Sequence, residues 1–418
     1  MKILLSSIYP FAFALLLLIV PFDNYVRALP NILLIILAIT YPFIITKEDF
    51  RKLDKKGAII LLAFILSLLL STLINGNWEE NLFVLEKVGI AIGVLLLYLP
   101  ISENNKLKNA IIFSSLAAIL YSVFNIFMLI NDTGMFDFGE TSNPQYTLLI
   151  DRLYLGLLSV LSILVSYRSF TKKYSSFNKY HLVNIIINIV FLFLIVARMA
   201  LLTLILITIL QLFYSLKNRK IILITFMSIA VVIILAFSLN KNLSTRFFYL
   251  TYGKGDQTLV ERTLKQEPRT IIWICAANLI KEKENILFGY GFANTEKKLV
   301  DCYGGDIIVN KERQKWFLER KYNSHNQFID IYLSTGILSL LCFVALFGYL
   351  LFKNRKNYFL TAILISIFCF GFIENFFHRQ IGGYYFGVIL IFLLLDNFKS
   401  KSEDSTHSNE ELKSNTRP

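Results

Sequence analysis

Apolar runs of about 15 to 25 residues recur from one end of this chain to the other, longer and less interrupted than the striped helices of a soluble core. A chain of 418 residues that is 56% hydrophobic and only 17% charged cannot hide that much apolar surface from water, so lipid is its solvent. In lipid every backbone polar group must be paired internally, which leaves helices or a closed barrel, and the run lengths select helices. The expected fold is an all-α polytopic membrane protein with about twelve transmembrane helices. Its spans are read near residues 3–20, 28–45, 58–74, 82–99, 109–130, 146–165, 182–197, 199–216, 221–239, 327–352, 359–376 and 382–395. The first run follows Lys2 like a signal peptide, but it is long and no small-residue cleavage site follows, so it is read as a retained helix.

The connections alternate in charge as the positive-inside rule requires. Lys47, Arg51, Lys52, Lys55 and Lys56 fall in one inner loop, Lys106 and Lys108 in the next, then Arg168, Lys172, Lys173 and Lys179. Lys217, Arg219 and Lys220 follow, and later Lys353, Arg355 and Lys356. This places both termini in the cytoplasm. Much of the net charge of +13 is therefore topogenic and calls for no nucleic-acid partner. The organisation expected is a membrane domain over residues 1–239 and 325–397, a large outer loop with short helices over 240–324, and a solvated tail over 398–418. Within the loop, Pro268 can start a helix and Phe288-Gly289-Tyr290-Gly291-Phe292 supplies flexible, aromatic-flanked backbone. Cys275 and Cys302 lie on the outer side, and the sequence leaves open whether they pair. Four histidines and no paired His or Cys spacing give no metal site.

What insertion does not explain is a set of arginines at the outer face: Arg152 at the start of the sixth span, Arg198 between the seventh and eighth, and Arg379 between the last two. Intramembrane guanidinium groups are costly unless paired or facing a polar cavity. Asp151 beside Arg152 and Glu374 before Arg379 could pair with any one of them. Three on one face, opposite a loop that adds Arg246, Arg262, Arg269, Arg313 and Arg320, point instead to a bound phosphate group, which a guanidinium holds bidentately. Ser324-His325-Asn326 stands directly before the tenth span. With Ser324 or Asn323 as cap, His325 falls in the first helical turn and shares a stripe with Ile329, Tyr332 and Gly336. There it is either a capping histidine or a base, and Gly336 admits a close neighbouring helix.

These residues resemble the O-antigen ligases and related O-antigen polymerases of bacterial inner membranes. The ligase pattern is a His, then Asn, Ser or Gln, nine residues and a Gly at the start of the helix after a large periplasmic loop, and His325, Asn326 and Gly336 fit it. Arg198 and Leu202 fit the family's Arg, three residues, Leu. Ser339 departs from it, where Gly, Thr or Tyr is expected. The paired Arg-x10-Gly motifs of the polymerases are not found.

The resemblance implies a glycosyltransferase that moves a glycan from an undecaprenyl-pyrophosphate carrier to a hydroxyl of an acceptor, lipid A core in the ligases, at the periplasmic face of the inner membrane. The anomeric carbon already carries a good leaving group, so the chemistry asks for a base and for cations rather than a cofactor or metal. On this reading His325 is the base, and Arg198, Arg152, Arg379 and Arg269 bind pyrophosphate. Asn326, Tyr332, Asp151 and Glu374 position these groups or balance their charge. A polymerase using the same donor stays open, as does a lipid-linked oligosaccharide transporter or flippase, although a transporter would place its polar groups nearer mid-membrane.

Overall fold

The computed structural model describes residues 2–76, 78–134, 147–170, 176–214, 267–282, 285–308 and 310–398. Among these the chain is helical, with no strand beyond an isolated bridge between Leu53 and Leu395. The bundle helices are α1 (Lys2–Ile19), α2 (Leu29–Ile44), the short α3 (Lys47–Arg51), α4 (Lys55–Asn75), α5 (Trp78–Tyr98), α6 (Asn104–Thr133), α7 (Arg152–Ser169), α8 (Ser176–Leu194) and α9 (Arg198–Tyr214). Three further helices, α10 (Pro268–Lys281), α11 (Phe292–Gly304) and α12 (Lys311–Arg320), precede α13 (Gln327–Asn354), α14 (Tyr358–Gly371) and α15 (Gln380–Leu394).

Six described helices, α1, α4, α5, α6, α8 and α13, are long and apolar enough to cross a membrane, and α2, α9, α14 and α15 are shorter apolar helices. The ninth expected span, 221–239, lies outside the described residues, as do residues 240–266 and the tail from 399. Two expected spans are shorter than their apolar runs. The sixth begins only at Arg152, because the Asp151 side chain accepts from Leu153 N at 3.0 Å and caps the helix there. The eleventh stops at Gly371, and Ile373, Phe376 and Phe377 turn into the protein instead of continuing the helix.

Large side chains such as Ile39, Ile59, Leu120, Phe127 and Val190 are exposed on the outside of the bundle, an apolar surface that suits lipid and not water. Between helices the polar groups are paired. Asn184 of α8 donates to Ser162 and Ser166 of α7 at 3.0 and 2.8 Å, and Ser115 of α6 donates to Asn188 at 2.6 Å. Such bonds fix the register of helices whose apolar faces resemble the solvent. The most enclosed helix is α15, buried from Gly382 to Leu394 and packed along α5. A separate small core joins α10, α11 and α12 around Ile272, Tyr303 and Phe317, and the Cys275–Cys302 disulfide ties α10 to α11.

Candidate functional site

The first turns of α13 hold the turn between α14 and α15 almost residue by residue. Asn326 caps α13, accepting from Phe328 N and Ile329 N at 3.0 Å, and its Nδ2 donates to Phe372 O at 3.1 Å. Ser324 and Asn375 exchange hydrogen bonds between their side chains, and Gln327 Oε1 accepts from Phe377 N at 3.0 Å. His378 Nε2 lies 2.8 Å from Asp330 Oδ2. The cap is thus Asn326, not Ser324 or Asn323, because a side-chain amide can satisfy two orphan amides of the helix and a facing carbonyl at once. His325 therefore precedes the helix, in a left-handed conformation at φ 44°, with its amide donating to Asn323 Oδ1 at 3.1 Å.

This clamp buries Glu374 opposite His325. Glu374 Oε2 is 3.6 Å from His325 Nδ1, and its Oε1 is 3.6 Å from Arg379 Nε and accepts from Tyr154 Oη at 3.4 Å. Arg379 Nη1 also lies 3.7 Å from Asp151 Oδ2, so the start of α15 meets the start of α7. Burial pushes the Glu374 carboxyl up, but His325, Arg379 and Arg269 outweigh it and hold the group below its usual range. Burial disfavours charge on Arg379 as well, and Glu374 and Asp151 reverse that.

A second arm of charge comes from α9 and α10. Glu267 Oε2 is 3.9 Å from Arg198 Nη2, and its Oε1 accepts from Arg269 Nη1 at 3.2 Å. Arg198 opens α9 immediately after Val196 and Ala197, and Val196 is a buried β-branched residue at φ 51°. That conformation is strained for valine and persists only where its surroundings impose it. Arg152, at the first position of α7, has buried Nε and Nη2 atoms with no hydrogen-bond partner among the described residues, and Arg269 Nε is in the same condition. Arg152, Arg198 and Arg269 sit in the first turns of α7, α9 and α10, and Arg379 caps α15, so guanidinium groups and positive helix ends coincide.

The structure thus gathers His325, Asn326, Glu374, Arg379 and Asp151, with Arg198 and Arg269 joined through Glu267. It does not bring Tyr332 to His325. With Asn326 as cap the stripe that joined them is broken, and Tyr332 instead lines a small crevice with Leu279, Ile286, Gly289 and Tyr290. Tyr154, Glu267, Asp330 and His378 were missed by sequence reasoning. Asp330 had a readable signal, an acid inside an apolar helical run. Among the described residues no three or more His, Cys, Asp or Glu side chains converge as a metal site.

Gly336 has a different role from the one expected. The helix breaks there at φ 82°, and what approaches is the turn at 285–288, not a neighbouring helix. Tyr290 N and Gly291 N donate to Leu333 O and Ser334 O at 2.8 Å, and Ile337 N donates to Ile286 O at 2.8 Å. Ser71 and Asn75 of α4 donate to Phe288 O from the other side, at 2.6 and 2.9 Å. A Cβ on Gly336 would stand 2.2 Å from Leu287 O, and one on Gly289 would stand 2.4 Å from Ser334 C, so neither position accepts a side chain.

The O-antigen ligase family model matches residues 183–344. Over this stretch the chain is similar to the O-antigen ligases. The match takes in Arg198, Arg269, His325, Asn326 and Gly336, and it ends before Glu374, which lies 3.6 Å from His325, and before Arg379, which lies 3.6 Å from Glu374. No curated protein matches the chain.

Proposed function

We propose that the protein is a glycosyltransferase that moves a glycan from undecaprenyl pyrophosphate to a hydroxyl of a glycan acceptor, lipid A core, at the periplasmic face of the bacterial inner membrane. The observation that carries this reading is the carboxylate-backed histidine, His325 with Glu374 at 3.6 Å, set beside arginines at the N-terminal ends of α7, α9, α10 and α15. The ligase-family match supports the reaction class.

With Nδ1 turned to Glu374, the Nε2 atom of His325 is left for the acceptor hydroxyl. The hydroxyl oxygen attacks the anomeric carbon, its proton passes to Nε2, and the bond from that carbon to the pyrophosphate oxygen breaks with its electron pair staying on the carrier. Arg198, Arg152, Arg379 and Arg269 stabilise the charge that grows on the leaving group, in a setting where such charges interact more strongly than in water. Asp151 and Glu374 keep Arg379 in place before substrate arrives.

Deletion of the gene followed by gel analysis of the surface glycan tests the reaction. Uncapped core with polymer still on its carrier is the expected outcome, whereas core capped by single units would indicate a polymerase. Arg198→Ala should abolish transfer with folding intact, and His325→Ala should lower turnover more than donor affinity. Full activity in either variant removes that residue from the mechanism.

A further inference from the structure

The site has one flank that the transfer chemistry does not use. Helix α12 is amphipathic and basic, with Lys311, Arg313, Lys315 and Arg320 against Glu312 and Glu319, yet Trp316 and Leu318 are exposed on it, 36% and 37% respectively. Exposed aromatic surface on a charged helix is the informative departure from an ordinary solvated face. Trp316 does not stand alone. Its ring is 5.1 Å from that of Tyr322, and the ring of Tyr322 is 5.5 Å from that of His325, so an aromatic path leads from the surface of α12 to the histidine.

The path is built rigidly. Lys321 at φ 47° reverses the chain after α12 and returns Tyr322 beneath Trp316. Tyr303 Oη donates to Tyr322 O at 3.0 Å, and Gln314 Nε2 donates to the carbonyls of Gly304 and Gly305 at 2.9 Å, which fixes α12 on the end of α11. Trp273 Nε1 of α10 donates to Ser324 O at 3.1 Å, fastening the residue before His325 to the same unit. Burial pushes the Tyr322 hydroxyl up, and Arg320 and Arg269 act against that rise.

We infer that Trp316 and Tyr322 form a subsite for the acceptor glycan, on which its sugar rings stack while Arg313, Arg320 and Lys321 take anionic substituents of those sugars. The electron-rich face of an aromatic ring attracts the polarised C–H groups on the apolar face of a pyranose, and large flat rings give contact area at little entropic loss. The basic rim adds the charge complementarity that a phosphorylated saccharide requires. Continuity with His325 makes the acceptor, not the donor carrier, the occupant, since the last ring of the path is the one that must meet the acceptor hydroxyl.

This assignment rests on the glycan-transfer reading, and the test separates the two. Full-length protein in detergent is given lipid-linked donor and a deacylated, phosphorylated core oligosaccharide as acceptor. Trp316→Ala should raise the acceptor KM about tenfold while donor KM and kcat at saturating acceptor stay near wild type, and Trp316→Tyr should keep most of the affinity. An unchanged acceptor KM, or equal rises for donor and acceptor, overturns the subsite. Absence of transfer by the wild-type protein counts against the proposed function instead. In that case calorimetric titration of the oligosaccharide alone decides the subsite: binding weakened by Trp316→Ala supports it, and equal binding by variant and wild type, as for adsorption to detergent-held lipid, rejects it.

Discussion

His378 and Asp330 form a buried pair, Nε2 to Oδ2 at 2.8 Å, at the point where the turn carrying Glu374 and Arg379 crosses the start of α13. Burial disfavours the imidazolium, but Asp330, then Glu296 and Glu374, outweigh it and raise His378 above its ordinary value of 6.5. A group raised in this way lends stability that is complete below the unfolded value and is lost as pH climbs through the raised folded value. The melting temperature of the wild-type protein in detergent should therefore fall as pH climbs above the ordinary imidazole value more steeply than that of Asp330→Asn, which starts lower and stays flatter. Parallel curves for the two proteins would dissolve the link between this pair and stability.

Glu374 supports both His325 and Arg379, so Glu374→Gln should slow transfer by about two orders of magnitude in a protein that still folds. The carboxyl lies below its ordinary value of 4.5, and its contribution is present above that value and lost as pH falls through the lowered folded value. Glu374 therefore stays ionised across the neutral range, and Glu374→Gln should lower initial rates throughout it. Wild-type rates in Glu374→Gln near neutrality would detach this carboxylate from the mechanism.

Gly336→Ala places a methyl against Leu287 O in a backbone conformation that alanine adopts poorly, and should destabilise the protein by about 3 kcal/mol or more. Gly289→Ala should act alike. At Gly348, in the same helix as Gly336, an added Cβ would meet nothing within 4 Å, so Gly348→Ala should be neutral or stabilise by up to about 1 kcal/mol. Thermal unfolding of the three variants measures the contrast.

The Cys275–Cys302 bridge joins residues 27 positions apart around the small core of α10 and α11. In the loop-closure account such a link contributes about 3.5 kcal/mol. Reduction and Cys302→Ser should each lower the melting temperature by similar amounts, and reduction should add nothing further to Cys302→Ser. An additive effect would locate the reductant's action elsewhere.

Run length made the helices legible, and the spacing of His325, Asn326 and Gly336 marked out a candidate site, because both are local properties of the chain. Their atomic roles were less so. Asn326 and Ser324 are both good caps by type, and only the Phe372 carbonyl facing Asn326 decides between them. Gly336 reads as a small residue for helix packing because sequence shows the space a glycine leaves, not what fills it. Glu374 was visible as a charge near Arg379, but its place beside His325 depends on a contact 49 positions away along the chain. The pairing of Asp330 with His378 is likewise long-range, and no spacing rule connects them.

The crossing at Gly336 also governs how this protein can be recombined. Leu333 and Ser334 have given their carbonyls to residues 290 and 291 instead of to their own helix, and Ser71 and Asn75 complete the joint. A chimera that exchanged the segment before α13 for one of different length at 286–291 would strand those carbonyls within the bundle. The segment before α13 can be transplanted only if this short crossover, and the α4 residues that receive it, travel with the graft.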